Sequence, residues 1–156
     1  MEGKQQMTPD EIAASLGIDL KNYQPPANLA PASWAGSVLH TSGHVSKSYK
    51  GKLGTDFSVE QGRAAARECA VQLLQAAYSV TGTLNNLRCV KVLGAVNSAP
   101  DFTDQHLVIN GASELIWEVF GKDTRGYHAR SALGFASLPV GVAVEVEAIF
   151  EVIDKD

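Results

Sequence analysis

"GYHARSALGFASLPVGVAVEVEAIFEV", residues 126–152, contains two strand-like segments joined by the turn LPVGV. Apolar and β-branched residues dominate both segments, which predicts strands at about 131–137 and 143–153. On the second strand, successive side chains alternate between the two faces of a sheet. One face is apolar and is predicted to lie in the core: Val144, Val146, Ala148, Phe150 and Val152. The other is half polar and is predicted to meet solvent, a pocket or another chain: Glu145, Glu147, Ile149, Glu151 and Ile153.

Two charged residues in this stretch are not required for packing. Arg130 begins the first strand just after a loop. Such an arginine either pairs with a surface acid, the commoner outcome, or holds a ligand carboxylate with its planar fork of donors. Glu145 is either part of the wet side of its strand, as we expect for Glu147 and Glu151, or an acid of a functional site. On composition alone the structural interpretation is favoured for Arg130.

The rest of the chain supplies two helices and three further strand segments. A run of apolar residues at three- and four-residue spacings predicts a helix from Ser58 to about residue 80, with Gly82 near its end. The same spacing predicts a helix over 104–121, and the apolar run 87–96 predicts a central strand. Residues 36–45 are expected to form a strand, returned as a hairpin by the turn-rich residues 46–56. The order β–β–α–β–α–β–β predicts an α+β sandwich, with two helices packed on one face of a mostly antiparallel sheet.

The N-terminal residues form a separate element. Thr8 and Glu11 match a capping box, Pro9 occupies the first helical position, and Gly17 ends a short helix. A proline-rich connector follows. We therefore expect residues 1–33 to be an N-terminal extension lying on the body and residues 34–156 to be the main domain.

Composition limits the classes of function. The 156 residues are 45% hydrophobic and 19% charged, as in a single globular domain. The net charge of −4 and scattered basic residues make a nucleic-acid partner unlikely on electrostatic grounds. Cys69 and Cys89 are expected to be buried thiols in a reducing compartment, and their spacing suggests no zinc site. With neither a signal peptide nor a membrane-spanning run, the chain is predicted to be cytoplasmic and to need no cofactor or metal.

Several segments resemble signature segments of one family. SGHV, HARSALGFASLP and VAVEVEAIFEV are similar to those of the Rid/YjgF family, also known as the L-PSP endoribonuclease or translation-inhibitor family. VNSAPDFTDQ followed by VINGASELIWEVFG resembles its longer subgroup. The resemblance spans about residues 36–152. Arg130 and Glu145 lie fifteen positions apart around an LP turn, which is the family's own spacing.

The resemblance implies a chorismate-mutase-like fold and a homotrimer with pockets at the subunit interfaces. The best-described members hydrolyse enamines and imines derived from amino acids to 2-oxo acids and ammonia. By resemblance, Arg130 binds the substrate carboxylate and Glu145 positions or activates the attacking water. The main chain at Ser42 and Gly43 lines the pocket.

Three further residues enter this expectation with less support from the motifs. His44 replaces the more usual glutamine beside the glycine and is a candidate pocket residue. The family's asparagine in the second helix maps best to Asn110, although the local spacing differs. Leu29 stands where family deaminases have a tyrosine, which predicts a more apolar pocket. His106 and His128 are expected to be exposed.

The departures leave three functions open. Ala132 stands where the family often has a cysteine, so both it and Leu29 weaken the case for deamination more than the case for carboxylate binding. The leading prediction is a Rid-type imine deaminase. The alternatives are a non-catalytic sensor or carrier of small carboxylates and an L-PSP-type endoribonuclease, which fits an acidic chain poorly.

The expected strand pairing also predicts how the site is completed. If the two closing strands form a hairpin centred on Val140, Arg130 faces Phe150. Glu145 then lies about five residues along, or roughly 16 Å at the rise of a strand. A neighbouring subunit is therefore expected to complete the pocket.

Overall fold

A computed structural model of the protein describes residues 6–153. Three α-helices lie in this range: Pro9–Ser15 (α1), Val59–Thr81 (α2) and Gln105–Phe120 (α3). Six strands accompany them: Ala32–Ala35 (β1), Val38–Thr41 (β2), His44–Val45 (β3), Leu87–Asn97 (β4), Ala129–Phe135 (β5) and Val144–Val152 (β6). None of the helices described is long and apolar enough to cross a membrane.

The ends of α1 and α2 follow from local sequence. The predicted capping box of α1 is present, with the Thr8 side chain accepting from the Glu11 backbone and the Glu11 side chain accepting in return. Ser58 and Gln61 form the same arrangement at the start of α2. Gly82 adopts the left-handed conformation just after α2, where glycine has no steric penalty. These contacts satisfy backbone groups that a helix end leaves unpaired.

The six strands form one sheet in the order β1-β2-β6-β4-β5, with β3 also paired to β6. All pairs are antiparallel except β4 with β5, which is parallel. Helices α2 and α3 pack on one face of this sheet, and the core lies between the two layers. The predicted α+β class is confirmed.

The core face of β6 is the one predicted. Val144, Val146 and Phe150 are fully buried, and Ala148 is nearly so. Val152, also predicted to be buried, is 37% exposed because it is the last residue of the strand. The opposite face of β6 carries the glutamates, and no helix of residues 6–153 covers it. This uncovered side of the sheet is called the open face below.

The predicted hairpin of residues 36–45 with residues 46–56 is wrong. The hairpin forms earlier, between β1 and β2, with Ala35 opposite Val38. Residues 46–57 instead make turns and isolated bridges, among them Lys50 with Val142. The β1 strand escaped sequence reasoning because its four residues, ASWA, follow a proline-rich connector and are too short to show a period.

The predicted hairpin of the two closing strands is also wrong, so Arg130 does not face Phe150. Strand β4 lies between β5 and β6 and pairs with both. Arg130 is level with Val92 on one side of β4, and Glu145 is level with Ala95 on the other. Strand β5 pairs with β4 because the long crossover through α3 returns the chain parallel to β4. The LPVGV turn then carries the chain across β4 and into β6.

The N-terminal residues lie against the main body. Both carboxylate oxygens of Asp10 accept hydrogen bonds from the loop after α2, from the Leu84 amide at 2.8 Å and the Thr83 hydroxyl at 2.6 Å. Ala13 and Leu20 belong to the buried core. Because β1 begins at Ala32, the predicted boundary between residues 33 and 34 falls inside a strand.

Helix α3 lies very close to α2. A side chain at Gly111 would overlap the backbone carbonyl of Arg63, so only glycine allows this approach. Two ion pairs link the helices along their length, Arg63 to Glu114 at 2.6 Å and Arg67 to Glu118 at 3.0 Å. These contacts fix the position of α3 against α2.

Both cysteines are free and buried, as predicted. Burial raises the pKa of the Cys89 thiol to about 12 and that of Cys69 well above its usual value. Neither thiol is therefore reactive at neutral pH.

Candidate active site

A stripe of mostly polar side chains runs along one face of helix α3. His106, Asn110, Ser113 and Trp117 follow one another at spacings of four, three and four residues, which places them on one face of the helix. This face lies beside the edge strand β5. The stripe therefore meets the strand that carries Arg130.

Asn110, Ser113 and His106 hold the guanidinium group of Arg130. Its Nη1 donates to Asn110 Oδ1 at 2.8 Å and to Ser113 Oγ at 3.2 Å. Its Nη2 donates to the backbone carbonyl of His106 at 3.2 Å. The structure thus brings Asn110, one of the predicted site residues, into direct contact with Arg130.

One edge of the Arg130 guanidinium has no acceptor within residues 6–153. The three bonds above leave the Nε hydrogen and one Nη2 hydrogen, out of five donors. Nε and Nη2 form an edge of the guanidinium that a carboxylate can bind through two parallel hydrogen bonds. No acidic side chain of the described residues forms an ion pair with Arg130. Burial lowers the pKa of Arg130 from its usual value, although the group stays charged at physiological pH.

Glu145 lies on the open face of the sheet, between the buried residues Val144 and Val146. It is level with Ala95 of β4 on one side and with Val45 of β3 on the other. Within residues 6–153, neither of its carboxylate oxygens has a hydrogen-bond partner. Burial, and secondarily the nearby Glu147, raise the pKa of Glu145. A carboxylate in this state is a stronger base than an exposed one.

Gly43 sets the position of the Glu145 carboxylate. A Cβ at residue 43 would lie 3.0 Å from Glu145 Cδ and would overlap Oε1. The glycine therefore allows the acid to lie directly against the main chain of residues 42–44. This is the close backbone approach expected from the SG motif.

We expect Gly43→Ala to displace the Glu145 carboxylate and to lower about 100-fold the rate of a reaction in which Glu145 acts as a base, the scale set by misplacing a catalytic group by about 1 Å. The free energy of unfolding should change much less, because the flexible glutamate can swing towards solvent. Gly36→Ala is the control for the kinetic effect, since nothing lies within 4 Å of an added Cβ there. Its φ of 61° disfavours alanine, so this variant should lower the free energy of unfolding without lowering the rate. Steady-state kinetics alongside thermal unfolding measures both effects. Unchanged kcat in Gly43→Ala would contradict this role.

Ser42 is hydrogen-bonded to the connector that contains Leu29. The Ser42 hydroxyl donates to the Ala30 carbonyl at 2.6 Å, and its amide donates to the Pro31 carbonyl at 2.9 Å. These bonds hold the connector that contains Leu29 beside the SG motif. The Leu29 side chain is 61% exposed.

His44 is not brought to the Glu145 carboxylate. It pairs with Val146 and is 3% exposed, so its imidazole points to the core side of the sheet. Nε2 lies 2.8 Å from the hydroxyl of Tyr23, and Nδ1 lies 2.8 Å from the Ser42 carbonyl. With both nitrogens engaged within the chain, His44 secures the N-terminal connector. Its predicted role as a pocket side chain has no support in this geometry.

Arg130 and Glu145 lie far apart within one chain. Arg130 is level with the fully buried Val92 and contacts α3, so it lies on the helix side of the sheet. Glu145 lies on the open face. Two strand spacings and the three residues from Val92 to Ala95 separate their backbones, which amounts to about 14 Å. The chain therefore carries two candidate half-sites, which are called below the carboxylate half-site, at Arg130, and the acid half-site, at Glu145.

Sequence reasoning missed His128, which was predicted to be exposed. Its ring is half-buried, stacked near Trp117 with 6.1 Å between centroids, and lies 2.9 Å from Ser113 Oγ. The signal was present in two patterns: the polar stripe on α3, and the i,i+2 spacing of His128 and Arg130, which puts both on one side of an extended chain.

His106 is exposed, as predicted. No cluster of three or more metal-ligand side chains occurs among the residues described.

The fold and the two half-sites define a chorismate-mutase-like α+β domain, and comparison with known proteins identifies the family. The family model for endoribonuclease L-PSP matches residues 21–152. The chain belongs to this family, which is also called the Rid/YjgF family.

Three similar proteins illustrate the relationship. Protein TCP17 of Trypanosoma cruzi is 44% identical over 143 residues, covering 87% of this chain and 89% of that protein. Atu1372 of Agrobacterium tumefaciens, a protein of unknown function, is 38% identical, with a TM-score of 0.81 over 92% of this chain and 94% of that one. A candidate endoribonuclease from Shewanella oneidensis is 26% identical, with a TM-score of 0.87 over 94% of this chain and 100% of that one.

Proposed function

We propose that the protein is a Rid-type deaminase that hydrolyses 2-imino acids, and the enamines in equilibrium with them, to 2-oxo acids and ammonia. One observation carries the proposal: a family member presents an arginine with a free bidentate edge, Arg130, and a half-buried carboxylate without a partner, Glu145. The first group suits a substrate carboxylate. The second suits the activation of water.

The reaction needs one base and one carboxylate anchor. Arg130 binds the carboxylate of the imino acid and fixes the adjacent imine carbon. Glu145 accepts a proton from water as the oxygen bonds to that carbon, and the electron pair of the C=N bond moves to nitrogen. The proton then passes from Glu145 to nitrogen, which gives a neutral carbinolamine. Glu145 next accepts the proton of the carbinolamine hydroxyl and passes it to nitrogen as well, so that ammonia leaves as the C–N bond breaks and the carbonyl forms. Water and imine are consumed, and one 2-oxo acid and one ammonia are produced.

The separation of the half-sites supports a pocket shared between two chains. The carboxylate and the imine carbon of the substrate are bonded to each other, so the anchor and the base must act within a few ångströms of one another. Side chains on opposite faces of a sheet, with backbones about 14 Å apart, do not meet in this way. A neighbouring copy that sets its Arg130 edge against this chain's open face brings the two together.

The open face is suited to such a neighbour. Leu133 and Phe135, level with Ala95 and Asn97 at the edge of the sheet, are 45% and 41% exposed. Apolar side chains exposed together in this way commonly mark an interface. We expect a homotrimer, the assembly of the family, with a mass of about 50 kDa, three times that of the 16.6 kDa chain. Light scattering at micromolar concentration measures it, and a monomer mass would contradict the shared pocket.

The decisive experiment is ammonia release from freshly generated 2-iminobutyrate. The proposal requires the protein to accelerate release above the spontaneous rate and Glu145→Gln to remove the acceleration. An absence of acceleration at any protein concentration, with the substrate confirmed by trapping, would overturn it.

A second candidate, a non-catalytic module that binds small carboxylates, is favoured by two positions. Leu29 and Ala132 stand where family deaminases have polar side chains, and neither brings a polar atom to hold water. Binding of 2-oxobutyrate through Arg130 without imine hydrolysis would support this alternative. The endoribonuclease function in the family's name is less well supported, because a net charge of −4 does not favour the attraction of RNA.

A further inference from the structure

The His128 imidazole is held in one tautomer. Its Nδ1 lies 2.5 Å from the carbonyl oxygen of Gly126. A carbonyl only accepts hydrogen bonds, so Nδ1 carries the proton and Nε2 of the neutral ring is an acceptor. Ser113 Oγ lies 2.9 Å from this Nε2, which makes the serine hydroxyl the donor.

The same serine contacts Arg130. Its oxygen accepts a hydrogen bond from Arg130 Nη1 at 3.2 Å while its hydrogen is directed to His128. A directional chain therefore runs from Arg130 through Ser113 to His128 and ends at the Gly126 carbonyl. Hydrogen bonds in such a chain polarise one another.

Ser113 is not placed to act as a nucleophile. It is fully buried, and its hydroxyl is engaged both as donor and as acceptor. His128, bonded to Ser113 on one side and Gly126 on the other, has no free nitrogen for proton transfer. The pair therefore acts on Arg130 and not on a substrate.

We propose that Ser113 and His128 are positioning residues that orient the Arg130 guanidinium for a ligand carboxylate. The inference rests on the proposed function, since it assigns both residues to the carboxylate half-site. Asn110 and Ser113 accept hydrogen bonds from the two hydrogens of Arg130 Nη1. The guanidinium therefore cannot rotate at the end of the side chain without losing one of these hydrogen bonds. The Nε–Nη2 edge is thereby kept available in a fixed direction. Preorganisation of this kind raises affinity because less side-chain freedom is lost on binding.

The surroundings favour the neutral ring that this chain of bonds requires. Burial lowers the pKa of His128, and the positive charge of Arg130 lowers it further, against the opposing effect of the Gly126 carbonyl. Within residues 6–153, the charged groups at this cluster are Arg130, two residues further along the chain in β5, and Lys122, whose Nζ lies 4.9 Å from the centre of the Trp117 ring beside His128. Both are cations. Protonation of His128 would add a third positive charge and would turn the Ser113 hydroxyl away.

The test is the affinity of the full-length protein for 2-oxobutyrate, measured by calorimetry, with thermal unfolding as a check of folding. Ser113→Ala and His128→Leu should each raise Kd about tenfold, the scale of one hydrogen bond to a charged group. His128→Gln should recover part of the loss, because its amide oxygen still accepts from Ser113. Ser79→Ala is the matched control, since that helical hydroxyl donates only to the Ala76 carbonyl of its own helix, and its Kd should stay unchanged.

A second readout separates positioning from simple packing. In the wild-type protein, NMR of the His128 ring nitrogens should show its pKa rising when 2-oxobutyrate binds, because the ligand's charge offsets that of Arg130. Wild-type affinity in both His128→Leu and Ser113→Ala would overturn the positioning role and leave the proposed function standing. Wild-type protein that binds no 2-oxo acid would overturn both. Even if Ser113→Ala does not fold, the His128→Leu and His128→Gln pair decides the question.

Discussion

Replacing Arg130 by alanine is expected to abolish the binding of 2-oxo acids, with a loss of affinity of about 100-fold or more. Removing one partner of a desolvated, bidentate charge pair has an effect of this size. Asn110 and Ser113 offer neutral groups, so nothing in the carboxylate half-site replaces the cation. Arg130→Lys should recover only part of the loss, because an ammonium group keeps the charge but not the planar fork. Calorimetric titration with 2-oxobutyrate measures both variants.

The matched control for Arg130→Ala is Arg67→Ala. Arg67 also lies on the helix side, but its guanidinium is paired with Glu118 and lies away from the α3 stripe. Its removal should leave Kd unchanged and affect only stability. Retention of wild-type affinity by Arg130→Ala would show that the free guanidinium edge is not the carboxylate anchor.

Glu145→Gln is expected to lower the rate of imine hydrolysis at least about 100-fold while leaving the Kd for 2-oxobutyrate close to that of the wild-type protein. The amide keeps the shape of the side chain but cannot accept a proton from water, and a general base contributes about 10²–10⁴-fold to a rate. The free energy of unfolding should not fall, since a carboxylate whose pKa is raised is less stable ionised in the folded protein than in the unfolded chain. Loss of binding together with turnover would contradict a role confined to catalysis.

The raised pKa of Glu145 also predicts the pH dependence. The base is active when ionised, so the rate should fall as the pH decreases through this raised pKa, at a higher pH than for an ordinary carboxyl group. Glu147→Gln removes the nearby like charge and should lower the pKa of Glu145, which moves the acid limb of the rate profile to lower pH. An acid limb that does not move in Glu147→Gln would show that another group is titrating.

The regular elements near the site could be predicted because their signals are local. The apolar spacing of α2 and α3, the capping box at Thr8 and the alternation along β6 depend on residues within a few positions of one another. The pairing of Arg130 with Glu145 as site residues depended instead on their resemblance to a family. On composition alone Arg130 would have been assigned to a surface ion pair.

The amino-acid sequence by itself determined the helices, the buried and polar faces of β6 and the identity of the two charged groups. Only the tertiary structure decided which strands are neighbours. Two strands separated by a short turn show the same alternation of side chains whether they pair with each other or lie on either side of a third strand. In this protein the α3 crossover placed β4 between β5 and β6. That placement set Arg130 and Glu145 two strands apart and brought His128 onto Ser113. Contacts of this kind join residues distant in the chain, so no local pattern of the sequence specifies them.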